Sequence, residues 1–97
     1  MKSIEEIKEI IQTHKVDLKS RYGVREIGLF GSYVKGEQAE NSDIDILVEF
    51  EKPVGFFKFL ELEEYLEKLL DLKVDLVTKK ALKPTIGCYI LDELVTI

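Results

Sequence analysis

Two aspartates near the middle of the chain have the spacing of a pair that acts on one ligand. Asp43 and Asp45 lie at the start of IDILVEF, whose β-branched and aromatic residues predict a strand. Residues two apart on a strand point to the same side of the sheet, about 7 Å apart at the backbone. Carboxylate oxygens suit hard divalent cations such as Mg²⁺, which proteins commonly share with substrate phosphates. The pair therefore indicates a metal site, although a D-x-D on its own is more often a solvated or capping pair.

A third aspartate lies on the next predicted strand, KVDLVT (73–78). Asp75 stands between Val74 and Leu76, so alternation turns it away from that apolar pair. Folding could therefore bring it beside the first two aspartates. Three converging carboxylates repel one another unless protons or cations intervene, which favours a cation at this place.

A glycine and a serine directly follow the first predicted strand. VREIGLF (24–30) leads into Gly31 and Ser32, and a short helical turn is predicted after them. Free backbone N–H groups and a hydroxyl at such a turn can bind phosphate oxygens. The turn is not a Walker A loop, because Gly36 is followed by Glu37 rather than by Lys and Ser or Thr. Alone it would be an ordinary strand exit, but beside the aspartates it predicts a phosphate site next to a metal site.

The elements that must position these residues follow from hydrophobic spacing. Ser3 and Glu6 form a capping-box pattern that opens an amphipathic helix over about 4–21, and a second long helix is predicted over 56–70. A last apolar segment follows Pro84. This order predicts an α/β (α+β) fold, with a small mixed sheet of about three strands and helices packed on one face. The helix between the second and third strands permits a parallel crossover, while the direction of the first pairing stays open.

Composition limits the classes of protein to which the chain can belong. Its 97 residues are 45% hydrophobic and 34% charged, with a net charge of -5, which predicts one compact domain over 1–97. It has no apolar run of about 18–20 residues and no apolar signal core, so we expect a cytoplasmic protein without a membrane partner. Cys88 is the only cysteine, so no intrachain disulfide can form. The acidic balance argues against a nucleic-acid partner.

Together these residues resemble a known family. Residues 31–50, GSYVKGEQAENSDIDILVEF, have the form G-S-x-x-x-G-x(5)-S-D-x-D. This compound motif resembles that of the DNA polymerase β nucleotidyltransferase superfamily, and more narrowly that of the minimal nucleotidyltransferases, the MNT or MntA-like antitoxins encoded beside HEPN-domain toxins. The similarity extends through VDLVT and the LKP of residues 82–84. The resemblance implies the polymerase-β-like nucleotidyltransferase fold.

The resemblance also implies roles for the residues that match the motif. Gly31 and Ser32 would bind the nucleoside triphosphate. Asp43 and Asp45 would ligate two Mg²⁺ ions. Asp75 would be the third carboxylate of the metal site and could take a proton from the attacking hydroxyl.

Two further residues are candidates for binding the nucleotide. Family members often carry Arg just before the second motif glycine, where this chain has Lys35. A lysine lacks the planar two-point phosphate contact of a guanidinium, so Lys35 either contacts the triphosphate or is a solvated residue on a helical turn. Ser42 either hydrogen-bonds the metal-binding turn or caps it.

The activity that the resemblance implies is transfer of AMP from ATP to a protein hydroxyl, with pyrophosphate leaving. The implied acceptor is a tyrosine of the cognate HEPN ribonuclease toxin, which would make the chain the antitoxin of a type VII toxin–antitoxin pair. Two alternatives stay open: an antitoxin that neutralises its toxin by binding alone, and a nucleotidyltransferase that acts on a small-molecule or nucleic-acid hydroxyl. Either a homo-oligomer or a hetero-oligomer would be compatible with the sequence.

The remaining conspicuous residues are interpreted as structural. Phe56, Phe57 and Phe59 fit helical spacing and are predicted to lie in the core. His14 is predicted to be a surface residue. A run of glutamates is interpreted as a solvated helix face: Glu61, Glu63, Glu64 and Glu67. An apolar stripe near the C-terminus is expected to cover the sheet or to meet a partner: Ile86, Tyr89, Ile90, Leu94 and Ile97.

Overall fold

The structure is a computed structural model that describes residues 3–36, 43–81 and 93–97. In chain order the elements are α1 (Ile4–Thr13), α2 (Lys15–Tyr22), β1 (Val24–Phe30), α3 (Ser32–Lys35), β2 (Ile44–Phe50), α4 (Phe56–Leu70), β3 (Val74–Thr78), a short 3-10 turn (Lys79–Ala81) and β4 (Val95–Thr96). None of the helices in the described ranges has both the length and the apolar character that a membrane crossing requires.

The strands form one mixed sheet in the order β3-β2-β1-β4. β1 pairs antiparallel with β2 and with β4, whereas β2 pairs parallel with β3. A parallel pair needs a long crossover, and α4 supplies it. The predicted mixed sheet and the predicted crossover are therefore confirmed, and the pairing left open by the sequence is antiparallel.

Within the described residues the sheet has four strands, one more than the prediction of about three. The added strand, β4, contributes only Val95 and Thr96, and Ile97 N–H donates to Ile27 O at 3.0 Å. A strand of two residues is too short to show an alternating pattern in the sequence. Its residues pair with the free edge of β1. Gly28 of β1 permits the close approach, because a Cβ there would lie 2.7 Å from Leu94 Cδ1. Of the predicted apolar stripe, Leu94 and Ile97 meet the sheet at this edge, and the other members lie outside the described residues.

The first predicted helix is two helices, because the chain turns at His14. The Thr13 hydroxyl donates to Glu9 O at 2.8 Å, and His14 Nδ1 lies 2.9 Å from Ile10 O. Side chains that bond the preceding turn in this way compete with the regular helix. His14 is consequently half-buried rather than a surface residue. The predicted capping box at Ser3 is confirmed.

The core lies between the helices and one face of the sheet. Its fully buried members come from α1, α2, α4 and alternate positions of the strands: Ile7, Ile11, Leu18, Ile27, Leu29, Ile44, Ile46, Val48, Leu62, Leu66 and Leu70. On α4 the buried stripe follows the i, i+4 spacing of a helix, which confirms the predicted amphipathic helix. The packed face fixes the opposite face of β2 as the one that carries the aspartates.

The prediction that the phenylalanines belong to the core was wrong for two of them. Phe56 is 69% exposed and Phe57 is 80% exposed, while Phe59 packs against the core. At 3.6 residues per turn, Phe56 and Phe57 lie about 120° and 140° around the helix from Leu62. They therefore point away from the stripe that packs on the sheet.

Candidate active site

The parallel pairing of β2 with β3 brings two of the candidate aspartates side by side. Asp45 stands in register with Asp75, and on its other side it pairs with Phe30, the residue before Gly31. Both aspartates occupy the second position of their strands. Asp43 lies just before β2 at the same end of the sheet and is exposed. The register thus places Asp75 next to Asp45, as the alternation in the sequence predicted.

The Asp45 carboxyl is the electrostatic centre of this cluster. Burial is the largest cause that raises its pKa from the usual 3.8 to about 6. The charge of Asp75, a side-chain hydrogen bond with Asp75 and the charge of Asp43 raise this pKa further. A proton shared between two carboxylates is the usual response to like charges that are held close together. A divalent cation in that place would relieve the same repulsion.

Gly31 joins the glycine–serine turn to the aspartates. Its φ of 78° and ψ of -152° lie where residues other than glycine are strained. A Cβ built on Gly31 would also overlap Asp45 Oδ2 and would lie 2.9 Å from Asp45 Cγ. Only glycine satisfies both conditions. The backbone of the turn and the carboxylate of the strand are therefore in direct contact.

The spacing of the motif corresponds to one short helix between two glycines. α3 begins at Ser32, and the N–H groups of Val34 and Lys35 both donate to Gly31 O at 3.1 Å. Gly36 ends α3 with a φ of 71°, and its N–H donates to Ser32 O. The two positive-φ glycines explain why the motif has glycine at both ends. Ser32 is half-buried at the point where the chain leaves β1.

Lys35, a candidate for binding the triphosphate, forms an ion pair. Lys35 Nζ lies 3.0 Å from Glu93 Oε1, and the two side chains are 48% and 30% exposed. The contact connects α3 to the residues that lead into β4. Sequence reasoning gave no role to Glu93, because a contact between residues so far apart has no local signal. A contact of Lys35 with a triphosphate stays a prediction, and Ser42 lies outside the described residues.

Glu67 is a second residue that sequence reasoning missed. It was predicted to be solvated, but it is half-buried, and its Oε2 accepts a 3.0 Å hydrogen bond from the N–H of Val74. Nearby, Ile44 N–H donates to Lys73 O at 2.9 Å. Both bonds lie at the first residues of β2 and β3, immediately before Asp45 and Asp75. Glu67 therefore helps to set where β3 begins.

The chemistry of the donors fits a hard cation, although the side chains are not arranged around one. In residues 3–36, 43–81 and 93–97, no group of three or more His, Cys, Asp or Glu side chains is placed to hold a metal ion. Asp45 and Asp75 instead stand opposite each other in the register of β2 with β3. Clustered carboxylates would suit Mg²⁺, and the backbone of Gly31, which has no side chain, leaves space beside them for a phosphate.

Comparison with known proteins places this site in a family. Residues 5–96 match the family model described as the nucleotidyltransferase domain. The protein adenylyltransferase MntA of Thermococcus cleftensis is 57% identical over 95 residues, which are 98% of this chain and 96% of that protein. A solved minimal nucleotidyltransferase is 30% identical with a TM-score of 0.77, over 94% of this chain and 95% of that one.

A further structural relative was solved with a nucleotide analogue. It is a toxin–antitoxin crystal structure with AMP-PNP, 31% identical with a TM-score of 0.70, over 88% of this chain and 70% of that one. The segment matched by the family model contains the glycine–serine turn and all three aspartates. The chain therefore belongs to the nucleotidyltransferase-domain family, as a minimal nucleotidyltransferase of the MntA protein adenylyltransferase group.

Proposed function

We propose that this protein is a Mg²⁺-dependent adenylyltransferase that transfers AMP from ATP to a tyrosine of a cognate HEPN-domain toxin. Modification would silence the toxin, so the protein would be the antitoxin of a type VII pair. The contact of the Asp45–Asp75 pair with the Gly31 turn is the observation that carries the proposal. Support comes from the relative that is a protein adenylyltransferase and from the toxin–antitoxin structure with AMP-PNP.

Five of the candidate residues would have a role in this reaction. Asp43, Asp45 and Asp75 would hold two Mg²⁺ ions, which supply positive charge to the oxygens of an in-line displacement at phosphorus. The turn at Gly31 and Ser32 would bind the triphosphate through backbone N–H groups and the hydroxyl. The acceptor oxygen forms a bond to the α-phosphorus, and the bond to pyrophosphate breaks. Asp75 would take the proton that the acceptor hydroxyl releases.

The exposure of the site favours a macromolecular acceptor. Asp43 and Asp75 are exposed and only Asp45 is half-buried, so the carboxylates lie at an open edge of the sheet. A side chain of another protein could reach carboxylates that are exposed in this way. The acceptor would then also exclude the water that an open site admits.

Transfer of label tests this proposal. The protein is incubated with Mg²⁺, ATP labelled at the α-phosphate and the purified HEPN-domain protein encoded beside it, and label is expected on the toxin. Asp43→Asn and Asp45→Asn should each lower the rate at least about 100-fold, because charge stabilisation at phosphorus is lost. Asp17→Asn, an equal change of charge on the exposed surface of α2, should leave the rate within about twofold.

Other outcomes would support the alternatives. Protection of cells by the protein with both Asp43→Asn and Asp45→Asn would mean that binding alone neutralises the toxin. Label on RNA or on a small molecule, with none on the toxin, would mean that the acceptor is not a protein. Undiminished transfer by either aspartate variant would contradict the assigned site.

A further inference from the structure

A groove opens at the end of the sheet opposite the aspartates. Its volume is about 400 Å³, and residues 48–56, Phe59 and 78–80 line it. β2 runs from Asp45, near its first residue, to Phe50, its last. At about 3.3 Å per residue, the lining begins about 10 Å from the carboxylate cluster, at Val48 and Thr78, and reaches about 17 Å at Phe50. It is therefore separate from the candidate active site.

The groove has an aromatic margin that the fold leaves exposed. Among the described residues, the exposed large hydrophobic side chains are Val16, Phe56, Phe57 and Leu60, and three of these four lie in the first turns of α4. Phe56 lines the groove and contacts Phe57 edge-on, with ring centroids 6.0 Å apart. Exposed aromatic side chains that are grouped in this way are typical of interaction sites.

The carboxylates that line the groove are neutralised by ion pairs. Glu49 Oε1 lies 3.7 Å from Arg25 and Glu49 Oε2 lies 3.4 Å from Lys79. Glu51 lies 4.0 Å from Lys19. These contacts place three cationic side chains, Arg25, Lys79 and Lys19, around the two carboxylates. The immediate surroundings of the groove are therefore positively charged, although the net charge of the chain is -5.

Two lysines of the lining increase this positive charge. Lys52 and Lys80 make no ion pair with any part of the chain that the structure describes. Together with the paired residues they make this end of the sheet basic, whereas the opposite end carries Asp43, Asp45 and Asp75. An acidic partner would be attracted to the groove and repelled from the carboxylate end.

We propose that this groove, named here the Phe56 groove and formed by residues 48–56, Phe59 and 78–80, docks an acidic segment of the protein acceptor through apolar side chains. The proposal rests on the proposed function, because it assumes that the acceptor is a protein. Apolar side chains of that segment enter the groove, and its carboxylates pair with Lys52 and Lys80. Binding at a place remote from the reacting atoms holds the acceptor while its hydroxyl reaches the aspartates.

Binding of the HEPN-domain protein, measured without ATP or Mg²⁺, tests the docking site. Phe56→Ala should weaken the affinity about tenfold or more, because an exposed aromatic side chain of the groove is lost. The double variant Lys52→Glu with Lys80→Glu should weaken binding by a similar factor. The affinity of the wild type for the HEPN-domain protein should fall as the salt concentration rises. All three side chains are exposed in the structure, so the variants should keep the melting temperature of the wild type.

Matched controls separate the groove from general surface effects. Val16→Ala removes a side chain that is 79% exposed but lies outside the groove. Lys68→Glu reverses one lysine near the other end of α4, which is half the charge change of the Lys52 and Lys80 pair. Both variants should bind the HEPN-domain protein with an affinity within about twofold of that of the wild type. In the transfer assay, the groove variants should raise the KM for the toxin and leave the KM for ATP unchanged.

The outcomes distinguish failure of the docking site from failure of the proposed function. Normal affinity and normal KM in the groove variants would overturn the docking proposal and leave the transferase intact. Groove-dependent binding of the toxin without any transfer of label would support docking and overturn the proposed reaction. A wild-type dimer in sedimentation that Phe56→Ala converts to monomers would identify a second copy as the occupant and overturn the proposal.

Discussion

At the scale of single residues, the contact of Gly31 with Asp45 joins two motifs that are separate in the sequence. The glycine leaves β1 in a conformation that other residues tolerate poorly, and its missing side chain leaves space for the carboxylate. Asp45 is in turn the most buried of the three aspartates. A substitution at Gly31 would therefore displace the Asp45 carboxylate directly, without a change in the packing of the core.

The variant Gly31→Ala tests the contact between Gly31 and Asp45, and a second glycine with a similar φ provides the control. Gly23→Ala is the control, because Gly23 has a φ of 69° and a Cβ there would meet nothing within 4 Å. Gly23→Ala should lose about 1 kcal/mol of unfolding free energy in urea, since it strains the backbone, and Gly31→Ala should lose more, because its methyl group also overlaps Asp45. Only Gly31→Ala should also lose at least about tenfold in transfer rate, because its methyl group displaces Asp45. Full activity of Gly31→Ala would contradict a role for this contact.

At the scale of elements, the position of Asp75 depends on how β3 begins. α4 ends at Leu70, and the next residue, Asp71, turns the chain with a φ of 53°. Glu67, in the last turn of α4, then accepts a hydrogen bond from Val74 N–H at 3.0 Å. The parallel register with β2 follows, and it aligns Asp75 with Asp45. A helix residue without contact to substrate thus helps to position a strand residue at the site.

Glu67→Ala and Glu67→Gln separate this hydrogen bond from packing. The alanine variant leaves the buried Val74 N–H without its acceptor, which should cost about 1–3 kcal/mol and lower kcat. The glutamine variant keeps an acceptor oxygen and should restore both. Rates are measured well below the melting temperature of each variant, and hydrogen exchange of the Val74 amide gives a direct reading of the bond.

Glu64→Ala serves as the control for the Glu67 variants. Glu64 forms an exposed ion pair with Lys68 on the same helix, at 3.1 Å, so its loss should change stability by about 0.5 kcal/mol or less. If Glu67→Ala lowered stability but kept the wild-type kcat, Glu67 would be a structural residue only.

At the scale of the whole molecule, charge is divided between the two ends of the sheet. The carboxylate cluster occupies one end, and the basic Phe56 groove occupies the other. The core that connects them includes buried residues from α1 through β3. We propose that residues 1–97 form a single domain on this core, in agreement with the family match over 5–96.

The carboxylate cluster should make stability depend on pH and on divalent cations. The pKa of Asp45 is raised in the folded state to about 6, so the folded protein binds its proton more tightly than the unfolded chain does. Its contribution to stability is therefore lost as pH rises from about 4 to about 6. In chelator, Asp45→Asn should melt above the wild type at pH 7.5 and together with it near pH 4.

Addition of Mg²⁺ at pH 7.5 should reverse the order of the two melting temperatures, so that the wild type melts above the variant with Asp45→Asn. Binding to the folded state raises the melting temperature of the wild type, and the variant with Asp45→Asn should gain much less. Differential scanning calorimetry at both pH values gives the comparison. A wild type whose melting temperature does not respond to Mg²⁺ or Mn²⁺, with or without ATP, would contradict a metal site here.

The sequence by itself determined the elements that have a local period and the motif that they carry. The strands 24–30 and 44–50 and the helix 56–70 have the predicted bounds, because alternation and helical spacing are properties of neighbouring residues. The same local reasoning selected Gly31, Ser32 and the aspartates as candidates for the site. Alternation also predicted the side of β3 on which Asp75 would lie.

Only the tertiary structure decided which of these residues touch. The antiparallel pairing of β1 with β2, the recruitment of β4 and the pair of Lys35 with Glu93 all join residues that are distant in the chain, where no local pattern exists. The bond from Val74 to Glu67 and the exposure of Phe57 depend on how α4 is rotated against the sheet. Rotation and pairing are set by packing of the whole core, and for that reason the contacts within the site and the groove could not be predicted from the sequence.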